Sequence, residues 1–217
     1  MYCLSMASSN VVQRFRIAPG TELRLEVGHH PCSVALTGGS AEVFGALLHA
    51  HRVLRLKHAK IAIFSYEGCT ISIDGLPLES PYVPGTLQLT AWLQSPSLSG
   101  LGCRYISEET PMNAYLNASH IINNQRKLAR EIRPGPVVAV VGPPSSGKTS
   151  LVKVLANYAI RAGWNPLLVD TSVQQNLITV PGALAAAQVC SMAHIHVAQL
   201  RIGGIYSIST FACAFLN

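Results

Sequence analysis

The chain has 217 residues, 49% hydrophobic and 12% charged, with a formal net charge of +6. That length can bury a real core, as one large domain or two small ones, and that composition excludes a disordered chain. The positive balance favours polyanionic partners such as nucleic acid or nucleotides.

Residues 1–20 hold no acid and carry Arg14 and Arg16. They lack the continuous apolar core of a signal peptide and read as a flexible N-terminal tail, with a weak transit-peptide pattern as the other reading. No stretch of 18 apolar residues occurs, so no membrane span is expected. The six cysteines (Cys3, Cys32, Cys69, Cys103, Cys190 and Cys213) include no pair at CxxC spacing. A zinc cluster is therefore not expected, and reduced thiols of the nucleus or cytosol fit.

From residue 22 to residue 92 the sequence reads as short strands with turn punctuation. Residues 23–27 alternate apolar and polar. Residues 41–44 follow a Gly38-Gly39 turn. Residues 60–66 and 69–73 flank Glu67-Gly68 and predict a hairpin. Together they predict a small antiparallel β-sandwich over residues 21–104. Residues 76–102, rich in Pro, Gly and Ser, read as a surface insertion that could hold a strand at 87–92.

A second domain is expected over residues 105–188. Thr110-Pro111 suits a helix start, and residues 112–132 read as a long helix ending at Arg133-Pro134-Gly135. Arg126, Lys127, Arg130 and Arg133 form the densest basic cluster, either a solvated helix face or a track for RNA phosphates. No aromatic residues are interleaved there for stacking bases. Residues 136–141 form an unbroken apolar run of the kind buried in parallel sheets. A helix over 148–162 ends at Gly163, and residues 165–170 form the next strand. This order predicts a right-handed βαβ unit. The expected fold class is thus an α/β P-loop NTPase-like domain with a partial parallel sheet, preceded by a small antiparallel β-sandwich domain. Residues 189–217 read as an atypical, acid-free tail.

The chemistry lies in Gly142-Pro-Pro-Ser-Ser-Gly-Lys148-Thr149, a complete G-x-x-x-x-G-K-T phosphate-binding loop between a strand and a helix. Gly142 and Gly147 let the backbone turn its N–H groups onto phosphate oxygens, and the helix N-terminus aims its dipole at the same anion. Lys148 is expected to reach the β- and γ-phosphates, and Thr149 to ligate Mg²⁺. Turnover also needs an acid near the metal or the nucleophile. Asp170 is the last acid in the chain. It reads either as a metal residue or general base, or as a strand-end residue capping the next turn.

Several segments together resemble the Clp-type polyribonucleotide 5′-hydroxyl kinases, known also as a subunit of the pre-mRNA cleavage complex. They are Thr21-Glu-Leu-Arg24, Gly39-Ser-Ala-Glu-Val-Phe-Gly45, Ala59-Lys-Ile-Ala-Ile-Phe64 and Glu67-Gly-Cys69. Beyond the insertion come Tyr105-Ile-Ser-Glu-Glu-Thr-Pro-Met112, Tyr115-Leu-Asn117 and Val180-Pro-Gly182. The resemblance covers roughly residues 21–182, apart from the insertion. It implies ATP held between the two domains, with Glu22 and Lys60 reaching it from the β domain. Ser145, Ser146, Gly147, Lys148, Thr149 and Ser150 would form the phosphate cradle. From the residues alone, Glu22 is an exposed strand end and Lys60 a strand-edge charge. The family also implies a nuclear setting, Mg²⁺, RNA as a possible ligand, and other cleavage-complex subunits as partners.

Two departures qualify this. The family's Asp-x-Gly-Gln or Asp-Pro-Gln-Gln pattern, aligned back from Pro181-Gly182, falls on Ser172-Val-Gln-Gln175. Asp170 lies two residues earlier, about 7 Å away along a strand. Family members are also longer, with a basic lid and a C-terminal domain. The tail from residue 189 is therefore expected to reflect a truncated gene model or a short paralogue. The resulting expectation is an ATP-binding subunit of the nuclear 3′-end cleavage and polyadenylation machinery, its ATP structural. The alternative is an active kinase that phosphorylates an RNA 5′-hydroxyl, with Lys148 and Asp170 as catalytic groups.

Overall fold

Apolar residues recur at every second position along the first half of the chain, and that period sets its strands. A computed structural model describes residues 12–75, 103–129, 134–172, 178, 182–189 and 202–207. Two units separate in it: Met1–Val43 with Leu47–Thr110, and Phe44–Ala46 with Pro111–Asn217.

The first unit holds β1 (Gln13–Ile17), β2 (Thr21–Val27), β3 (Cys32–Gly39), β4 (Glu42–Val43), β6 (Leu54–Leu56), β7 (Ala59–Ser65), β8 (Cys69–Asp74) and β9 (Cys103–Ser107), with β5 (Ala46–Leu47) at its border with the second. They form two sheets, ordered β1-β8-β3-β6 and β5-β4-β7-β2-β9, with antiparallel ladders. The inner positions are closed to solvent: Ile17, Leu23, Leu56, Ile63, Ile71 and Ile73 are each at most 2% exposed. Each such side chain contributes about 2 kcal/mol.

Two expectations change here. Residues 13–17 are not tail. Phe15 and Ile17 alternate with Arg14 and Arg16, so one face is apolar, and β1 pairs with β8 from Gln13↔Ile73 to Ile17↔Cys69. Nor do β7 and β8 form a hairpin. Gly68, at φ 91°, turns the chain out of one sheet and into the other. Both edges of each strand are already taken, those of β7 by β2 and β4 and those of β8 by β1 and β3. Lying in different sheets also lets Ile61 and Ile63 share one interior with Ile71 and Ile73.

The second unit holds α1 (Met112–Ala129), α2 (Lys148–Arg161), β10 (Leu167–Asp170), β11 (Ala185–Val189) and β12 (Ile202–Ser207). Pro111 opens α1 by accepting from the Tyr115 N–H at 3.0 Å. In α2 the buried residues Val154, Asn157 and Tyr158 fall three and four apart, on one face, and Ala159 next to Tyr158 widens it. Gly163, at φ 84°, ends the helix in a Schellman motif. Its N–H bonds the Ile160 carbonyl at 2.9 Å, and the Trp164 N–H bonds the Ala159 carbonyl at 3.0 Å. The Trp164 indole then donates to Asn123 Oδ1 at 2.7 Å, tying the end of α2 to α1.

The expected parallel sheet is not formed among the described residues. Residues 136–141 take no ladder, and Val137 and Val141 are 96% and 91% exposed. The paired strands are antiparallel, in the order β10-β11-β12, with Leu167↔Gln188 and Asp170↔Ala185 in register. A parallel pair is slightly weaker per residue than an antiparallel one, and β10 finds an antiparallel partner in β11. The βαβ order survives only as loop, helix and strand. The possible strand at 87–92 and most of the 189–217 tail lie outside the described residues.

Candidate nucleotide-binding site

Residues 142–149 fold back tightly on themselves. A Cβ on Gly142 would lie 3.0 Å from Ser146 Oγ and 3.8 Å from the Lys148 stem. Lys148 Nζ donates to the Pro143 carbonyl at 2.6 Å, closing the loop on its own first turn. Ser145 sits at φ 60° and Gly147 at φ 83°, both left-handed. Ser145 bears that conformation at some cost, because its Cβ crowds the backbone there.

α2 begins at Lys148 with Gly147 as its N-cap, and no side chain caps it. Among the described residues no side chain accepts from its first N–H groups, and the first turn carries no acid to compete for them. Uncapped donors, the positive end of the helix dipole and Lys148 converge where an anion would sit. Residues 142–147 and Thr149 are exposed, while Lys148 and Ser150 are half-buried. Residues 111–217 carry eight Lys and Arg against two acids, so the whole net charge resides in this unit. The donor set suits a polyphosphate. Thr149 adds one hydroxyl for a hard cation whose other ligands phosphate and water would supply. Among the described residues no group of three or more His, Cys, Asp or Glu could itself hold a metal ion.

Asp170 lies at the end of β10, where its Oδ1 accepts from the Ser172 N–H at 2.9 Å. This is the turn-capping geometry, the second of the two readings that the sequence left open for Asp170.

In the first unit, Glu22 is not an exposed strand end. It is 4% exposed. Arg24 Nε donates to Glu22 Oε1 at 2.6 Å, and Thr110 Oγ1 donates to Oε2 at 2.8 Å. Arg24 also donates to Tyr105 Oη at 3.1 Å and to the Glu109 carbonyl at 3.0 Å. Burial works against the Arg24 charge, but the bonds with Tyr105 and Glu22 outweigh it and raise its pKa above the ordinary arginine value. Lys60 stands opposite Glu26 across β7 and β2, on a stretch of β7 that β4 does not flank. Its Nζ lies 2.8 Å from Glu26 Oε1, with the lysine side chain 75% exposed.

Sequence reasoning overlooked the back of α2. Asn157, 1% exposed, donates from Nδ2 to the Phe44 carbonyl at 2.7 Å. Arg161 donates to the Gly45 carbonyl at 3.1 Å, and Lys153 Nζ lies 5.1 Å from the centre of the Phe44 ring. Burial lowers the Lys153 pKa. The tripeptide Phe44–Ala46 thus belongs to the P-loop unit. The available signal was an amide at a helix position, three after Val154, that should be apolar.

Two family models match the chain. The N-terminal β-sandwich domain of polyadenylation factor covers residues 16–129, and the P-loop of the mRNA cleavage and polyadenylation factor CLP1 covers residues 142–201. The chain belongs to the CLP1 polyadenylation-factor family. Among CLP1 relatives it is 35% identical over 182 residues to the mRNA cleavage and polyadenylation factor CLP1 of Coccidioides immitis (strain RS), covering 80% of this chain and 31% of the relative. It is 36% identical over 185 residues to the polyribonucleotide 5′-hydroxyl-kinase Clp1 of Xenopus laevis, covering 84% and 37%. A solved wild-type Clp1p–Pcf11p complex superposes with a TM-score of 0.65 at 20% identity, over 84% of this chain and 37% of that one. A second Clp1p–Pcf11p structure, concerned with a point mutant that loses ATP, gives the same TM-score of 0.65. The chain spans about a third of the length of the curated CLP1 relatives it matches.

Proposed function

We propose that the chain is the ATP-holding part of a subunit of the nuclear pre-mRNA 3′-end cleavage and polyadenylation machinery, with ATP and Mg²⁺ serving structurally. The observation that carries this reading is the uncapped, left-handed entry to α2 in a CLP1-family chain. The loop N–H groups and Lys148 would take the β- and γ-phosphates, with Ser145, Ser146, Gly147 and Ser150 completing the cradle and Thr149 on Mg²⁺. Glu22 and Lys60 would contact the nucleotide from the β domain. For Lys60 this means exchanging an exposed carboxylate partner for a phosphate. For Glu22 it means sharing a carboxylate already engaged twice. Partners would be other cleavage-complex subunits, of which Pcf11p is the one seen with the solved relative.

The alternative is an active kinase, favoured by the name of the Xenopus relative. There the RNA 5′-oxygen would form a bond to the γ-phosphorus while the bridging β–γ oxygen leaves on ADP. Asp170 would accept the hydroxyl proton. Against it stands the use of Asp170 to cap its own turn.

Radiolabelled ATP and a 5′-hydroxyl RNA, incubated with the purified chain and its Lys148→Ala variant, separate the two. The structural reading expects bound ATP without transfer, and a loss of affinity of about thirtyfold in Lys148→Ala, as for one charged hydrogen bond. Label reaching the RNA in a Lys148-dependent way rejects the structural reading. Absence of ATP binding to the unaltered chain rejects both.

A further inference from the structure

The first unit is electrically neutral as a whole, with eight Lys and Arg and eight acids, but its charges are segregated. Arg52, Arg55, Lys57 and Lys60 fall within residues 49–60, together with His49, His51 and His58, and no acid occurs from Val43 to Tyr66. The rest of the unit keeps four cations against eight acids. A polyanion is repelled by most of this unit and drawn to one rim of it.

The fold makes that rim a surface. β6 is an edge strand, and its alternation buries Leu54 and Leu56 while turning Arg55 to solvent. Lys57 and His58 form the two-residue crossing from β6 in one sheet to β7 in the other, and both are exposed. The His58 N–H bonds the Gly28 carbonyl at 3.1 Å, which draws in the loop carrying His29 and His30. The His29 and His58 rings then meet edge to face, with centroids 4.6 Å apart and planes at 88°. Lys60 is paired with Glu26. Arg55 and Lys57 have no ion pair with any described residue.

We infer that this rim binds single-stranded RNA, with Arg55 and Lys57 on phosphates and the His29–His58 pair offering a ring face to a base. The cations alone would suit any polyanion. The exposed imidazole pair beside them is what favours a nucleic acid with unstacked bases over an acidic protein segment. Arg55, Lys57, His29 and His58 belong to the first unit and the phosphate-binding loop to the second, and the inference does not depend on what that loop does with ATP.

Fluorescence anisotropy of a labelled oligouridylate, titrated with the full chain at several salt concentrations, tests it. Arg55→Glu with Lys57→Glu is expected to weaken binding about tenfold. It should also flatten the log–log salt slope by about 1.4, the signature of two lost phosphate contacts on a single strand. His29→Ala with His58→Ala is expected to weaken RNA binding about fivefold with the slope kept, as for one lost stacking partner. ATP binding should stay the same in both variants. The proposal fails if the unaltered chain does not bind, or if affinity and slope in the charge-reversed variant stay within about twofold of its own. It also fails if the loss appears only in Arg126→Glu with Lys127→Glu on α1, or if polyglutamate displaces the RNA while the double-alanine variant binds normally. Circular dichroism melts, with Arg55→Gln and Lys57→Gln in reserve, separate lost contacts from lost fold.

Discussion

The two units use equally apolar sequence to opposite ends. Ile63 in β7 is 0% exposed, whereas Val141, in a run just as apolar, is 91% exposed. What separates them is the ladder. β7 has β2 on one side and β4 on the other, while residues 136–141 have no hydrogen-bonded neighbour among the described residues. Hydrophobicity makes a segment eligible for a core, but a strand enters one only when its backbone groups also find partners. The sandwich meets both conditions and is electrically neutral. The P-loop unit meets them in its helices and its three-stranded sheet, carries the net positive charge and presents its loop to solvent.

The widest test of this contrast compares Ile63→Ala with Val141→Ser. The first is expected to cost about 3 kcal/mol in a urea melt. The second is expected to stay within about 0.5 kcal/mol. Comparable losses would mean that residues 136–141 have a partner in solution. Next in size is Gly45→Ala. Its Cβ would lie 3.1 Å from the Val154 carbonyl oxygen and 3.2 Å from the Tyr158 ring, at a φ of 77°. About 2 kcal/mol of destabilisation is expected, with weaker protection of α2 amides from hydrogen exchange. An unchanged melt would show that Phe44–Ala46 is not bound to α2.

A smaller effect should come with alkaline pH. Burial raises the Cys32 thiol from 9.0 to about 11. The unfolded chain loses this proton first, so the stability that the neutral thiol contributes is complete below pH 9.0 and is lost as pH rises through about 11. Cys32→Ala should flatten the fall in melting temperature across that window. The smallest expected effect is that of Lys60→Ala, within about 0.5 kcal/mol, because its ion pair with Glu26 is largely solvated. A marked drop in ATP affinity without a drop in stability would make Lys60 a nucleotide contact.

What could be read from the sequence was local. Alternation marked β2, the turn at Glu67-Gly68 marked β7 and β8, the glycine spacing marked the phosphate-binding loop, and Gly163 marked the end of α2. What could not be read was the choice of partner. β7 and β8 both alternate and are joined by a turn, so nothing within them says that they belong to different sheets. Residues 136–141 look like a buried strand because the sequence states their apolarity and not their neighbours. Glu22 looked exposed because the hydroxyl that engages it is on Thr110, 88 residues away. Asn157 drew no notice because the carbonyl it serves belongs to Phe44, 113 residues earlier.

The pairing of β2 with β9 has a consequence for how the protein is made. Glu22 lies opposite Ser107, so one edge of β2 stays a bare row of backbone donors and acceptors until residue 107 has left the ribosome. Synthesis runs from the N-terminus, and the insertion must be completed before that edge is covered. Long-range closure of this kind is slow compared with helix formation. Arg24 meets Tyr105 and Glu109 at the same moment, so the last strand to arrive both seals the sheet and settles its buried charge.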